Sequence, residues 1–273
     1  MLRHDFHLHT HFSAECVDEP RAYCLQAIDY GYRAICFTDH ADVGRSLLCR
    51  DVSVYERYRR AVLTCREEFR GRLAVGFGVE IGYNHAEEDK IRAFLAGKEF
   101  DYVLGSVHHL GDHVLVTDEG FFAGRTQREA YERYFAEVLC LVESGLCQGL
   151  AHLDVIERRG AKTYGPYNAA EYIDCLAPIL AAAVRHGLAL EINLSGYRQG
   201  LGRPIPGRDV LDLYLKAGGR LITMGSDGHK PMRILPDRPE IMDYVEANGF
   251  ALWEPSPGFW DAMGQFDAAG RLW

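Results

Sequence analysis

The chain has 273 residues and is 48% hydrophobic, which argues against a disordered protein and allows a sizeable core. Its formal net charge is −9. Acidic and basic residues are interspersed, so a nucleic-acid partner is not expected. The eight cysteines form no CxxC pair, which is typical of reduced thiols rather than of a disulfide framework. Without a signal peptide or an apolar run of transmembrane length, we expect a soluble, cytoplasmic protein with no membrane partner.

Short apolar runs alternate with amphipathic stretches along the whole chain. Strands are predicted at residues 5–9, 33–38, 73–80, 102–107, 149–152, 188–193, 221–226 and 250–253. Helices are predicted at residues 21–30, 55–69, 87–95, 127–144, 170–186, 210–217 and 240–248. Repeated βα units with right-handed crossovers give a parallel sheet, and the number of units favours a closed barrel over an open sheet. The sequence therefore predicts an α/β barrel that forms one domain over residues 1–273.

Histidines and carboxylates fall at the ends of the predicted strands. They are His7, His9, His40, Glu80, His108, His152, Asp227 and His229. Parallel strands bring their carboxyl ends to one face, where barrel enzymes build their sites. His7 and His9 are two residues apart on a strand, so both side chains point to the same side and suit one ion. Nitrogen and oxygen ligands of this kind favour zinc, iron or manganese.

A single histidine at a strand end is more often a hydrogen-bonded residue than a metal ligand. The repeated pattern of such histidines with matching carboxylates, all on one predicted face, favours a metal site instead. Of the adjacent His108 and His109, only one is expected to face the site because neighbours on a strand point to opposite sides. His186 is typical of a helix C-terminus and His85 of the loop that starts a helix. His4, His11 and His113 also fit a ligand role less well.

These residues lie in six motifs that resemble, in order and over most of the chain, those of the polymerase-and-histidinol-phosphatase (PHP) family. The motifs are His7-Leu8-His9-Thr10, Thr38-Asp39-His40, Gly78-Val79-Glu80, Gly105-Ser106-Val107-His108, Ala151-His152-Leu153-Asp154 and Gly225-Ser226-Asp227-Gly228-His229. The length of the chain and several segments are similar to the histidinol-phosphate phosphatase branch. The resemblance implies a distorted (β/α)7 TIM-like barrel.

The resemblance also implies two to three divalent metal ions, which would be zinc, manganese or iron. The first ion would be held by His7, His9, Glu80 and Asp227. Glu80 would bridge to a second ion held by His108 and His152. A third ion would be held by His40 and His229, with Glu15 as the candidate for its remaining protein ligand.

The activity implied is that of a metal-dependent phosphomonoesterase, and most specifically of an L-histidinol-phosphate phosphatase in histidine biosynthesis. A metal-bound hydroxide would attack the phosphate. The predicted catalytic residues are Glu80, Asp227, His229 and Arg198. Two other functions stay open, namely a phosphoesterase for nucleotides or other small phosphate esters and a non-catalytic metal-binding protein.

Candidate substrate contacts follow predicted strands on the same face. Arg158, Arg159 and Arg198 each offer a planar fork of donors that suits a phosphate. Asp118 and Glu119 lie in the long loop after the fourth strand, where a carboxylate could bind the amino group of an amino-alcohol phosphate. Asn193, at the end of the sixth strand, is a further candidate for a contact with the substrate. The expected partner is therefore a small phosphorylated metabolite.

Overall fold

The computed structural model describes residues 4–115, 118–234 and 238–254. Residues 1–3, the start of the segment for which no signal peptide is predicted, lie outside the described residues. In the described ranges the strands are β1 (His4–Leu8), β2 (Ala34–Phe37), β3 (His40–Asp42), β4 (Ala74–Gly82), β5 (Tyr102–Ser106), β6 (His109–Leu110), β7 (His113–Val114), β8 (Gly149–Leu150), β9 (Ala189–Asn193), β10 (Leu221–Gly225) and β11 (Ala251–Leu252).

The helices in the same ranges alternate with the strands. They are α1 (Pro20–Asp29), α2 (Leu47–Arg50), α3 (Val52–Glu68), α4 (Glu88–Leu95), α5 (Gln127–Ser144), α6 (Glu157–Tyr164), α7 (Ile173–His186), α8 (Ser195–Arg198), α9 (Arg208–Lys216) and α10 (Pro239–Ala247). None of these described helices is long and apolar enough to cross a membrane.

The chain forms two compact units. The first comprises Met1–Glu80, Lys98–Val103 and Thr223–Trp273, and the second comprises Ile81–Gly97 and Leu104–Ile222. A single domain over the whole chain stays a prediction.

In the first unit, strands β1, β2 and β4 pair in parallel. Ala34 lies opposite Ala74, and Phe37 lies opposite Phe77. All residues of these strands are buried, as expected when helices cover a parallel sheet. The buried Tyr58 of α3 donates from its hydroxyl to the Gly78 carbonyl over 2.8 Å. Packing of α3 therefore fixes the part of β4 that precedes Glu80.

In the second unit, β8 pairs in parallel with both β5 and β9. Helix α5 begins with a capping box, in which the Thr126 hydroxyl accepts from Glu129 N–H and the Glu129 carboxylate accepts from Thr126 N–H. The rings of Tyr131 and Tyr172 pack at a tilt within a buried aromatic cluster, with their centroids 5.4 Å apart. This cluster forms much of the core between α5 and the segment that leads into α7.

Each predicted strand overlaps an observed strand, and helix α5 has the predicted bounds. Helix α3 begins three residues earlier than predicted because the Asp51 side chain accepts from Ser53 N–H and caps it. The predicted third strand continues two residues beyond Glu80. Helix α6 was not predicted, since its polar sequence has no apolar periodicity and contains Gly160. All eight cysteines are free thiols, as predicted.

Candidate metal centre

The first unit places two imidazoles at the end of β1, where backbone hydrogen bonds fix them. His9 N–H donates to the Gly228 carbonyl over 3.0 Å, and Gly228 N–H donates to the His7 carbonyl over 3.2 Å. The Asp5 carboxylate accepts from the backbone N–H groups of His7 and Ser226, at 3.2 and 3.0 Å. The ends of β1 and β10 are thereby held side by side.

Two buried carboxylates face these imidazoles. Glu80 Oε2 lies 3.4 Å from His7 Nε2 and 3.6 Å from His9 Nε2. Asp227 Oδ1 lies 3.9 Å from His7 Nε2 and 3.6 Å from His9 Nε2. The ligand atoms of His7, His9 and Asp227 lie within 4.8 Å of one another, so the three residues could hold one ion.

A more exposed pair of histidines adjoins this group and shares a carboxylate. Glu15 Oε1 lies 2.8 Å from His40 Nε2 and 3.2 Å from His229 Nε2. His40 Nδ1 lies 2.8 Å from Glu80 Oε2. His9, His40 and His229 form a second group of residues that could hold an ion. Glu15 is therefore in place to act as the ligand that the family resemblance implies.

Burial and neighbouring charges hold His9 and Asp227 in the protonation states that a cation needs. Burial, together with the nearby imidazoles of His40 and His229, lowers the pKa of His9 well below its usual value. Burial alone would raise the pKa of Asp227, but the neighbouring imidazoles of His9 and His7 bring it well below its usual value. A neutral imidazole beside an ionised carboxylate is the form in which both residues bind a metal.

One atom of the cluster fits a metal ligand in particular. Within the described part of the chain, His9 Nε2 is buried and makes no hydrogen bond. A buried polar atom without a partner costs about 1–3 kcal/mol, so such atoms are rare unless a ligand satisfies them. The donor set of imidazole nitrogens and carboxylate oxygens therefore fits a divalent transition metal.

The second unit contains His108 and His152, which follow β5 and β8. Their ring centroids lie 5.6 Å apart. His152 has a backbone φ of 21°, in a region that side chains rarely adopt. Its N–H donates to Glu191 Oε2 over 2.7 Å, and the Asn193 side-chain amide donates to the same oxygen over 3.1 Å. His109 instead begins the β6–β7 hairpin, which agrees with the expectation that only one of the two adjacent histidines faces a site.

The three predicted phosphate-binding arginines also lie in the second unit. Arg158 and Arg159 belong to the first turn of α6, and Arg198 ends α8; all three side chains are partly buried. The buried Asn193 ends β9, and its Oδ1 accepts from Ser195 N–H over 2.9 Å.

Both acidic residues of the loop after β7 have protein partners. The His113 imidazole lies 2.6 Å from the Asp118 carboxylate, and Gly120 N–H donates to the same side chain over 2.7 Å. Glu119 forms an ion pair with Arg159. A substrate amine that bound Asp118 or Glu119 would therefore compete with the side chain of His113 or of Arg159.

A model described as PHP domain matches residues 5–195. The chain belongs to the PHP family. This PHP protein is 30% identical over 230 residues to the histidinol-phosphatase of Lactococcus lactis. The alignment covers 84% of the chain and 85% of that relative. It is also 30% identical over 233 residues to the probable histidinol-phosphatase of Deinococcus radiodurans. This alignment covers 83% of the chain and 86% of that relative.

A solved structure is similar in fold. The chain resembles the Lactococcus lactis histidinol phosphate phosphatase, which was crystallised with zinc, L-histidinol and phosphate. The TM-score is 0.76 with 28% sequence identity, over 93% of this chain and 97% of the solved one. This likeness confirms the predicted fold class, a distorted α/β TIM-like barrel.

Sequence reasoning missed several residues that support the PHP site. Arg203 donates to Asp154 Oδ2 over 3.1 Å and forms an ion pair with the buried Glu157. Ser13 and Asp39, in the first unit, lie directly behind the imidazoles of the metal centre. Asp39 stands within the Thr-Asp-His motif, which was a usable signal, whereas nothing in the sequence around Arg203 pointed to its role.

Proposed function

We propose that the chain is a metal-dependent phosphomonoesterase that hydrolyses L-histidinol phosphate. One observation supports this most strongly. The buried cluster of His7, His9, Glu80 and Asp227 stands in a chain that matches, over 93% of its length, an enzyme solved with zinc, L-histidinol and phosphate. As an enzyme of histidine biosynthesis, it would act in the cytoplasm.

The proposed ligand set is the one that the family resemblance implies. His7, His9 and Asp227 hold one ion, and Glu80 is a ligand shared with a further ion bound by His108 and His152. His40, His229 and Glu15 hold a third. Two to three zinc, manganese or iron ions would be bound per chain. Support comes from the close approach of the donor atoms within the first unit and from the pairing of His108 with His152 in the second.

When bound, divalent ions in such a site generate a nucleophile from water near neutral pH and neutralise phosphate charge. The side chains of the chain have separate tasks. Arg198 is the proposed phosphate-binding residue that also stabilises charge as the ester bond breaks, with Arg158 and Arg159 as further phosphate contacts. Asn193 is a proposed substrate contact. Asp118 and Glu119 are the proposed contacts for the amino group of the substrate, which would replace His113 and Arg159 as their partners.

A panel of phosphate esters on metal-reconstituted protein tests the proposal. L-histidinol phosphate carries a cationic amine at the end away from its phosphate, whereas a nucleotide would bring no such charge to the acidic residues. We expect kcat/KM for L-histidinol phosphate at least about tenfold above that for any nucleoside monophosphate, which corresponds to about 1.4 kcal/mol in transition-state binding. Equal or faster turnover of nucleotides would make the chain a phosphoesterase of different specificity. Absence of turnover on every ester, with metals bound, would identify a non-catalytic metal-binding protein.

A further inference from the structure

Behind the imidazole of His9 lies a buried hydroxyl with no role in the reaction as described. Ser13 Oγ lies 2.6 Å from Asp39 Oδ1, 3.1 Å from the backbone nitrogen of His40 and 3.4 Å from His9 Nδ1. Ser13 and Asp39 are both buried. One hydroxyl therefore touches the carboxylate, the backbone and the imidazole that meet behind the metal centre.

The hydrogen atoms at this hydroxyl can be assigned by counting. Asp39 Oδ1 already accepts from Thr10 N–H over 2.7 Å, and its Oδ2 accepts from the Thr10 hydroxyl over 2.8 Å. At 2.6 Å from Asp39 Oδ1, Ser13 must use its only hydrogen as the donor to that oxygen. The Ser13 hydroxyl oxygen itself accepts from His40 N–H, which leaves it one lone pair for His9.

We propose that Ser13 is a positioning residue that sets the tautomer of His9, a role that rests on the proposed metal site. Because Ser13 has no hydrogen left to give, His9 must carry its proton on Nδ1. The lone pair of His9 then lies on Nε2, the buried atom between Glu80 and Asp227. The nitrogen that binds a metal is set by the hydrogen bond that the other nitrogen makes, and Ser13 supplies that bond here.

Two measurements on the full-length, zinc-loaded chain test this role, and neither needs a substrate. Nitrogen-15 spectra of histidine-labelled protein should show His9 with a proton on Nδ1 and zinc on Nε2. A competition titration with a chromophoric chelator should show that Ser13→Ala lowers the zinc association constant about 10–100-fold, the usual effect of losing such a partner. Ser13→Thr, which keeps a hydroxyl on the same carbon, should regain most of that affinity.

Thr223→Val is the matched control. It also deletes a buried hydroxyl, one that lies 3.2 Å from the Tyr102 hydroxyl. Zinc affinity should stay within about twofold of that of the unaltered protein, since the control removes no partner of a proposed ligand. An equal loss of affinity in Thr223→Val and Ser13→Ala would reduce Ser13 to a general packing residue and overturn the proposal.

The spectra decide even if a variant folds poorly, because they are recorded on the unaltered protein. Zinc on Nδ1 of His9, or a proton on its Nε2, would overturn the role of Ser13 and leave the phosphatase proposal intact. If the spectra showed the assigned tautomer but the protein did not turn over L-histidinol phosphate, the role of Ser13 would stand and the proposed substrate would be wrong. A chain that bound none of zinc, manganese and iron would overturn both.

Discussion

The Glu80 carboxylate lies close to three imidazoles of the metal centre. Its Oε2 lies within 3.6 Å of nitrogens from His7, His9 and His40, and its side chain is fully buried. An ionised carboxylate in such a position needs nearby positive charge to offset the cost of its burial. A neutral amide of the same shape keeps the packing and loses the charge.

We therefore expect Glu80→Gln to stay folded, to lose at least one bound metal ion per chain and to retain below about 1% of kcat. Elemental analysis and turnover of L-histidinol phosphate measure the two effects, and circular dichroism checks the fold. Glu68→Gln is the control, since Glu68 pairs on the surface with Arg21 and should change neither quantity. Near-normal metal content and activity in Glu80→Gln would remove Glu80 from the ligand set.

At the scale of single elements, β4 depends on a glycine two residues before Glu80. A Cβ atom at Gly78 would lie 2.8 Å from the Tyr102 carbonyl oxygen, 2.9 Å from the Phe37 carbonyl oxygen and 2.8 Å from Cys36 Sγ. Two of these three contacts are with backbone of the neighbouring chain segments. The strand can therefore accept a side chain only if the sheet itself is displaced.

We expect Gly78→Ala to lower the free energy of unfolding by about 1–3 kcal/mol, as overpacking of a core does. Urea denaturation measures this loss. The double variant Cys36→Ala/Gly78→Ala should remain destabilised, because removing the thiol leaves both carbonyl contacts in place. Full recovery in the double variant would show that the thiol alone makes Gly78 necessary.

The elements that could be predicted from the sequence are those with a strong apolar pattern. Residues 127–144 were predicted within the bounds of α5, where a Thr-x-x-Glu capping box marks the start and Gly145 the end. Helix α6 could not be predicted, because its sequence is polar and contains Gly160. A side chain at this position would collide with the Tyr131 ring, and only the folded chain brings the two residues together. A strong local pattern predicts an element, whereas an element without one, such as α6, depends on tertiary packing.

The proposed ligands of the first unit could be predicted for a similar reason. Spacing of two on a strand places His7 and His9 on one side, and the structure brings both within 3.6 Å of Glu80 Oε2. The partners behind them could not be predicted. Ser13 reaches Asp39 across 26 residues of sequence through a loop whose course no periodic pattern specifies.

At the scale of the whole molecule, metal binding should couple to stability. The proposed ligands are distant in sequence, so the unfolded chain cannot present them together, and ions bind the folded state alone. A single zinc ion at about 100 times its dissociation constant adds about 2.7 kcal/mol. For a chain of this size that energy raises the unfolding midpoint by roughly 5–10 °C.

Calorimetry of chelator-treated and zinc-reconstituted protein measures this shift. Glu80→Gln should show a smaller shift than the unaltered protein, since it lacks one of the proposed ligands. An identical midpoint with and without zinc would mean that the cluster does not bind the ion in the folded state.

The hydrogen bonds that join the ends of β1 and β10 have a consequence for how the protein is made. Asp5 and Ser226 are 221 residues apart in sequence, yet Ser226 N–H donates to Asp5, and His7 and His9 bond to Gly228. At about 5–20 residues per second, a ribosome needs on the order of ten to forty seconds to add the segment between them. During that time His7 and His9 have been made without Asp227. The ion that these three residues would hold can therefore be loaded only after residue 227 has been added, and a nascent chain that stalls before that residue cannot build this centre.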